Sequence, residues 1–420
     1  MKTALKTIFL SSAFAVASSA AGYAQTADQS PAPAAATPAP QGLKLSGYID
    51  GSITANPDSP SDRENFGQPF TDRSNRPILN QISLAAEKDI DSSKDYDFGF
   101  RVQGIYGSDA RLTHFLGMFD QPNSKLRNQF DVLEGDVSVH TPWLGAGGTD
   151  FKVGMYPTPV GYEVMDPNGN PFASHSYIYA FGLPLKHTGV YATTHVNATW
   201  DVYYGVDTGA NTTFASVGDE NGAASYLFGF GLNGLMGGKV SVLALSHIGP
   251  EDSRITYPTQ ADSIFRYYND VYVTTKVTDA LTLVSDFNWA REDNGPGVSP
   301  ANAYGFAQYA SYSMSDTLAA NARAEIYRDA EGFFVAKFPG NDDFVLLEKG
   351  LPNGSVGYGP ATYGELTLGV TWKPAVFAPL AGLTIRPELR YDGTLSGGKP
   401  YDNGTKSSQF TAAVDAIVKF

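Results

Sequence analysis

The carboxy-terminal stretch FTAAVDAIVKF, residues 410–420, has a period of two. Phe410, Ala412, Val414, Ala416, Val418 and Phe420 form one apolar set. Thr411, Ala413, Asp415, Ile417 and Lys419 form the other, with both charges in it. Period two means a strand with two unlike faces. Its length suits a tilted strand crossing a bilayer, and it ends on an aromatic residue. A soluble sandwich strand can alternate in the same way, so the rest of the chain has to decide.

Composition narrows the choice. The chain has 420 residues, with 24 Tyr, 25 Phe, 4 Trp and 44 Gly. Charged residues make up 17% and hydrophobic ones only 42%. Past the amino terminus no apolar run approaches the length of a helical membrane span. Modest hydropathy with abundant Tyr, Phe and Gly suits a membrane barrel, whose strands show lipid every second residue. The absence of cysteine excludes disulfides, thiolate metal sites and Cys nucleophiles. A net charge of −14 argues against nucleic acid as a partner.

Residues 1–24 read as a cleaved signal peptide. Lys2 and Lys6 are basic, residues 7–17 are apolar, and Gly22 and Ala24 frame the cut. Residues 25–42, with Pro31, Pro33, Pro38 and Pro40, read as an Ala/Pro-rich periplasmic linker. Residues 43–420 are the expected barrel.

Sixteen segments carry strand character: roughly 43–55, 79–89, 96–106, 130–141, 150–157, 187–196, 198–207 and 225–235 in the first half. The second half holds 239–248, 265–277, 280–291, 303–314, 317–328, 362–373, 382–392 and 410–420. The connections after even-numbered segments are short, and those after odd-numbered segments are long and polar. A soluble sandwich has no reason to sort its loops by parity. A membrane barrel does, because its periplasmic turns are tight and its external loops are free to grow. The expected fold is therefore an all-β, transmembrane, antiparallel up-and-down β-barrel of about sixteen strands. A closed sheet is required because lipid cannot satisfy an open edge.

The face pattern agrees. In 383–392, Leu383, Ile385, Pro387, Leu389 and Tyr391 alternate with Thr384, Arg386, Glu388, Arg390 and Asp392. Charges on a lipid face would cost about 2–4 kcal/mol each near the midplane, so this second set needs a wet interior. Arg101, Arg323 and Glu325 fall on polar faces by the same rule. Segments 239–248 and 303–314 have no clear phase. A barrel of this size is too wide for side chains to fill.

The third long connection, residues 158–186, is not wholly polar. Val160, Tyr162, Phe172, Tyr177, Ile178, Tyr179 and Phe181 need burial. This predicts a loop folded into the lumen, with a compact external cap as the competing arrangement. Glu163, Asp166 and His175 are its candidate functional groups. Asp166-Pro-Asn-Gly-Asn170 reads as a turn, since it lacks the downstream Glu of a calcium loop.

Four stretches resemble the OmpL-like family of outer-membrane β-barrel porins. They are GYEVMDPNGNPFASHSYIYAFGLPLKHTGV at 161–190, WDVYYGVDTGANTTF at 200–214, LSHIGPE at 245–251 and RPELRYD at 386–392. The resemblance implies a porin-like barrel in the outer membrane of a Gram-negative bacterium, in contact with lipid and lipopolysaccharide. The long third loop is also similar to the inward-folded constriction loop of general trimeric porins, which implies a homotrimer. The expected function is a water-filled passive diffusion channel for small hydrophilic solutes or ions. The expected wall and constriction set is Arg101, Glu163, Asp166, His175, Arg323, Glu325, Arg386, Glu388 and Arg390, with pairing across neighbouring strands as the alternative role for these charges. Phe420 is the expected signal to the barrel assembly machinery.

Other chemistry is weakly supported. Gly229-Phe-Gly-Leu-Asn-Gly234 matches a dinucleotide fingerprint but lies in a strand followed by another strand. The histidines, His114, His140, His175, His187, His195 and His247, have no metal-ligand spacing. No cofactor, metal or catalytic residue is expected. The alternatives to a channel are a structural or adhesive barrel, or a barrel lipase or esterase built on His175-Ser176.

Overall fold

The structure is a computed structural model that describes residues 42–120, 125–214 and 221–420. The expected signal peptide and all but the last residue of the linker lie outside the described residues. The first eight strands are β1 (Lys44–Ala55), β2 (Pro77–Lys88), β3 (Asp97–Gly107), β4 (Gln129–Thr141), β5 (Thr149–Pro157), β6 (Lys186–His195), β7 (Trp200–Asp207) and β8 (Ser225–Leu235). The next four are β9 (Val240–Pro250), β10 (Phe265–Lys276), β11 (Leu281–Glu292) and β12 (Ala301–Ser315). The last four are β13 (Leu318–Asp329), β14 (Ala361–Trp372), β15 (Gly382–Ser396) and β16 (Ser408–Lys419). Each pairs antiparallel with its sequence neighbours, and β16 returns to β1 to close the barrel. No described helix is long and apolar enough to cross a membrane.

Turns and loops sort by parity, as expected, except that the 373–381 turn is slightly longer than the 293–300 loop. The tightest turns hold their geometry by backbone choice. At 236–239, Met236 (φ 69°), Gly237 (φ 69°) and Gly238 (φ 95°) take the left-handed region and send β8 straight into β9. The turn end of the wall carries an aromatic rim: the exposed rings of Trp143, Trp200 and Trp372, with the Trp143 indole donating to Tyr96. Such girdles mark the membrane interface.

The alternation read from the sequence holds along the wall. On β15, Arg386, Glu388, Arg390 and Asp392 are buried on the inward face, while Leu389 and Tyr391 are exposed on the outward one. The two strands of unclear phase, β9 and β12, have a shared reason for it. Apart from His247, their inward faces are apolar or small: Leu243 and Leu245 on β9, and Ala303, Gly305, Ala307 and Tyr309 on β12. The third loop covers them. Its short helix α1 (Tyr177–Phe181) lies on β12, where a Cβ added to Gly305 would sit 2.4 Å from Ile178 Cγ1. Only a bare backbone allows that approach.

The core is therefore inside the barrel and belongs to its loops. Val160, Met165, Tyr177, Ile178, Tyr179, Phe181 and Leu183 of the third loop join Phe66 and Phe70 of the first against the wall. Burying each such side chain contributes about 1.5–3 kcal/mol. That total holds an otherwise irregular loop in the lumen, so the inward arrangement prevails over the external cap.

Phe420 ends the closing strand on the outward, turn-end rim. Its amide and carbonyl exchange hydrogen bonds of 3.0 Å with Gly47, and its ring lies where a Cβ on Gly47 would be, 2.5 Å from Cε2. Deleting Phe420 should lower the yield of membrane-inserted barrel while leaving the conductance of each inserted barrel unchanged. Fractionation and single-channel recording on the same preparation measure both, and wild-type yield would count against the terminal ring as an assembly signal.

Candidate functional site

The site is the seam between the third loop and the wall of β13, β14 and β15. Pairing registers Arg323 with Thr367 and Thr367 with Arg390, in one inward row. The next row is Glu325, Glu365 and Asp392. A basic row thus lies beside an acidic row, and both face the loop's backbone.

Each wall charge takes hold of a different point on the loop. The Glu325 carboxylate accepts the amides of Tyr177 (2.7 Å) and Ile178 (2.8 Å) at the start of α1. Ser176 Oγ caps the same turn by accepting the Tyr179 amide at 3.0 Å. Glu388 accepts from the amides of Ala173 and Ser174 at 2.9 and 3.3 Å. Arg386 donates to the carbonyls of Pro167 (2.7 Å) and Asn170 (2.6 Å) while paired with Asp415. Arg390 donates to the His175 carbonyl at 2.6 Å and pairs with Asp392. Arg323 donates to the Ser174 carbonyl at 2.9 Å and bridges Glu163 (2.8 Å) and Glu365 (3.0 Å).

Glu163 is the loop's own contribution to this seam. It accepts from Arg323, from the Tyr309 hydroxyl at 2.9 Å and from the Ser176 amide, and His175 Nδ1 lies 2.6 Å away. Burial alone would raise its carboxyl, but Arg323 and His175 outweigh that and hold it down at about 2. His175 stacks on Tyr179 with centroids 4.0 Å apart.

Seven of the nine expected residues, Glu163, His175, Arg323, Glu325, Arg386, Glu388 and Arg390, meet in this seam. The sequence places the wall charges on the inward face, and the structure does so too. It also covers them: Arg323, Arg390 and Arg386 are 0%, 1% and 2% exposed. The reason is the loop, whose carbonyls and amides take the place of water. Asp166 and Arg101 lie apart from the seam. Asp166 caps a short 3-10 turn by accepting the Asn168 amide at 2.9 Å, so its segment is the expected turn. Arg101 stands on β3 between Glu87 and Glu134, and keeps 20% of its side chain exposed.

Asp166 and Arg101 share a cavity of about 310 Å³ below the loop, with Glu87, Glu134 and Tyr48. A second cavity of about 410 Å³ continues along β2 to β7, past Arg101, Glu134, Asp136, Lys152 and His195. Lys152 bridges Glu134 (2.6 Å) and Asp136 (3.7 Å). These vestibule charges, and Glu365 in the seam, were not singled out in the sequence. Glu365 was legible there, since Tyr363, Glu365 and Thr367 alternate like the residues of β15. No histidines have metal-ligand spacing along the chain, but His187, Asp207 and His247 converge in space, because strand pairing brings together residues that sequence spacing does not.

The family description "Putative beta-barrel porin-2, OmpL-like" matches residues 42–420. The chain belongs to this family. It is an outer-membrane porin, and its closed barrel is the family's channel scaffold. OmpF of Salmonella typhi, solved with daunomycin, is 12% identical, with 90% of this chain and 97% of that chain covered at a TM-score of 0.52. The trimer form of in-vitro folded OmpT, an outer membrane protein of Vibrio cholerae, is 12% identical over 90% and 99%, with a TM-score of 0.51. The anion-selective porin of Comamonas acidovorans is 10% identical over 90% and 98%, with a TM-score of 0.50. At such identities the likeness is one of fold. No curated protein matches the chain by sequence.

Two outcomes follow for this OmpL-like porin. Replacing Arg323 with Ala removes the cation that bridges the buried Glu163 and Glu365, at a cost of about 3–5 kcal/mol. Amides 174–181 should then exchange with solvent on the order of 10²–10⁴-fold faster, with strand amides unaffected; unchanged exchange would remove Arg323 from the seam. The second outcome concerns pH. Because the Glu163 carboxyl is held below its ordinary value of 4.5, its stabilisation is complete above about 4.5 and lost as pH falls toward about 2. Near-ultraviolet circular dichroism of the packed loop tyrosines should stay flat down to about 4.5 and decay below it.

Proposed function

We propose that this porin is a passive diffusion channel for small hydrophilic solutes and ions, narrowed by a third loop fixed to one side of its lumen. The observation that carries this reading is the division of labour between the two walls. On the β13–β15 side, Glu163, His175, Arg323, Glu325, Arg386, Glu388 and Arg390 fix the loop. On the β2–β7 side, Arg101, Glu134, Asp136 and Lys152 line polar cavities beneath it. Solutes pass along the second side, where Asp166 faces Arg101. Fixed charges at the rim of a narrow polar path bias ions by their fields, with no energy input.

The assembly we assign is a homotrimer. Supporting it, the outward face across β9–β13 carries Ser246 bonded to Asn269 (2.8 Å) and Ser285 bonded to Gln308 (2.7 Å), beside Ala320, Ala322 and Ala324. Small and polar residues on a lipid-side face suit close packing of one barrel on another. An ester hydrolase is disfavoured by the commitment of its candidate nucleophile: Ser176 is buried, and its Oγ caps α1 by accepting the Tyr179 amide. A structural or adhesive role leaves the paired polar cavities without a use.

Planar-bilayer recording tests the reading. The purified porin should conduct ions without voltage priming and close in three equal steps. Arg101→Ala should shift the reversal potential toward cations, since it removes the positive charge between Glu87 and Glu134. Arg386→Ala, which is covered by the loop, should act on conductance through loop position. Absence of conductance from folded barrels would overturn the channel, and single-step closure would overturn the trimer.

A further inference from the structure

His187 on β6, Asp207 on β7 and His247 on β9 meet at the external end of the wall, next to the root of the third loop. All three are buried, and the two imidazole rings have centroids 4.4 Å apart. Asp207 stands between them. Its Oδ2 is 3.6 Å from His187 Nδ1, and its Oδ1 and Oδ2 are 2.9 and 3.2 Å from His247 Nε2. One ligand-capable atom from each residue fits within 4.8 Å of the others.

One outer nitrogen is hydrogen-bonded, and the other faces a carboxylate that lies beyond hydrogen-bond reach. His187 Nε2 lies 3.0 Å from Thr158 Oγ1, the first residue after β5. His247 Nδ1 points toward Glu251, 3.8 Å away. Glu251 is itself positioned by the Ala210 amide (2.8 Å) and the Ser225 hydroxyl (3.2 Å). A histidine that binds metal through one nitrogen typically offers its other N–H to a carboxylate or another acceptor, which fixes ring and tautomer. The inner side is loosely closed: His187 Nδ1 is fully buried with no hydrogen bond within 3.5 Å, the Asp207 carboxylate lying 3.6 Å away. Buried polar atoms in folded proteins are nearly always partnered, so an unpartnered imidazole nitrogen aimed at a carboxylate calls for a ligand.

We propose that His187 Nδ1, His247 Nε2 and Asp207 form a binding site for a divalent transition-metal ion of the zinc type, with Glu251 as the positioning residue and a fourth coordination place left for water. The donor set is right for zinc, which takes His and carboxylate ligands in tetrahedral geometry. Bonds of about 2.0–2.1 Å place tetrahedral ligand atoms about 3.3–3.4 Å apart; the two nitrogen–carboxylate separations here are 3.2 and 3.6 Å, and all three atoms lie within 4.8 Å of one another. Two neutral imidazoles and one carboxylate leave one positive charge on the complex, and Glu251 offsets it. An ion here would tie β6, β7 and β9 to Thr158 and so stiffen the root of the third loop. The site stands on its own residues and does not depend on what the channel conducts.

The test uses the full folded chain in detergent, freed of metal by chelation and then titrated with Zn²⁺ alone. One equivalent should be retained per chain after gel filtration. His187→Gln and His247→Gln, each checked for barrel formation by unheated gel mobility, should weaken zinc binding by tenfold or more. Glu251→Gln should weaken it by about tenfold, and His195→Gln at the opposite end of the barrel should leave it unchanged. The metal-free wild-type chain with Co²⁺ gives a readout independent of any variant: the strong visible absorption of a four-coordinate ion. Wild-type barrels that retain no zinc and show only the weak spectrum of hydrated Co²⁺ would overturn the site. So would folded His187→Gln and His247→Gln barrels that bind zinc as the wild type does.

Discussion

Arg323 is a full positive charge with no access to water, and its surroundings show the constraint on which the lumen depends. A buried ion must be paired and hydrogen-bonded or it is expelled. The third loop has the complementary difficulty: an irregular backbone held inside a barrel, where amides and carbonyls need partners. Each supplies what the other lacks. Wall arginines donate to the carbonyls of Pro167, Asn170, Ser174 and His175, and wall glutamates accept the amides of Ala173, Ser174, Tyr177 and Ile178. Remove the loop and these charges return to water. Remove the charges and the loop has no register on the wall.

The apolar half of the seam follows from the same geometry. A porin's inner face is expected to be polar because water fills the barrel. Here β9 and β12 present Leu245, Ala303 and Ala307 inward, where the loop lies against the wall, and Leu243 borders the second cavity. Gly305 belongs to this surface, letting Ile178 close on the backbone. Tyr177 lies almost parallel to Tyr363, with centroids 5.0 Å apart, so the aromatic payload passes from β12 to β14 without a gap. The loop is thus seated on a smooth apolar floor and indexed by a charged rail beside it.

These two surfaces also account for what the sequence could tell. Strand positions and the parity of loops were legible, because period-two alternation and loop length are local properties. The inward side of Arg386, Glu388 and Arg390 was legible for the same reason. Their burial was not: alternation assigns a side chain to a face but says nothing about what covers that face. Where the covering segment is apolar the alternation itself fades, and the phase of β9 and β12 could not be read. The meeting of His187 with His247 was hidden more deeply. It depends on β7 lying beside both β6 and β8, and on β8 lying beside β9, which no spacing rule along the chain encodes.

The choice of charges for the rail has a physical consequence. A buried ion pair contributes little net stability, because the desolvation of its members roughly cancels their attraction. The packing of Tyr177, Ile178, Tyr179 and Phe181 must therefore hold the loop down, while the charges determine where it lies. An apolar rail would hold as firmly but would accept many registers, since hydrophobic contact is non-directional. The arginine forks accept few. A misplaced loop would leave Arg323, Glu325 or Arg386 buried without its partner, at several kcal/mol for each error. The seam thus encodes position through the cost of being wrong, and that is what a fixed constriction in a passive channel requires.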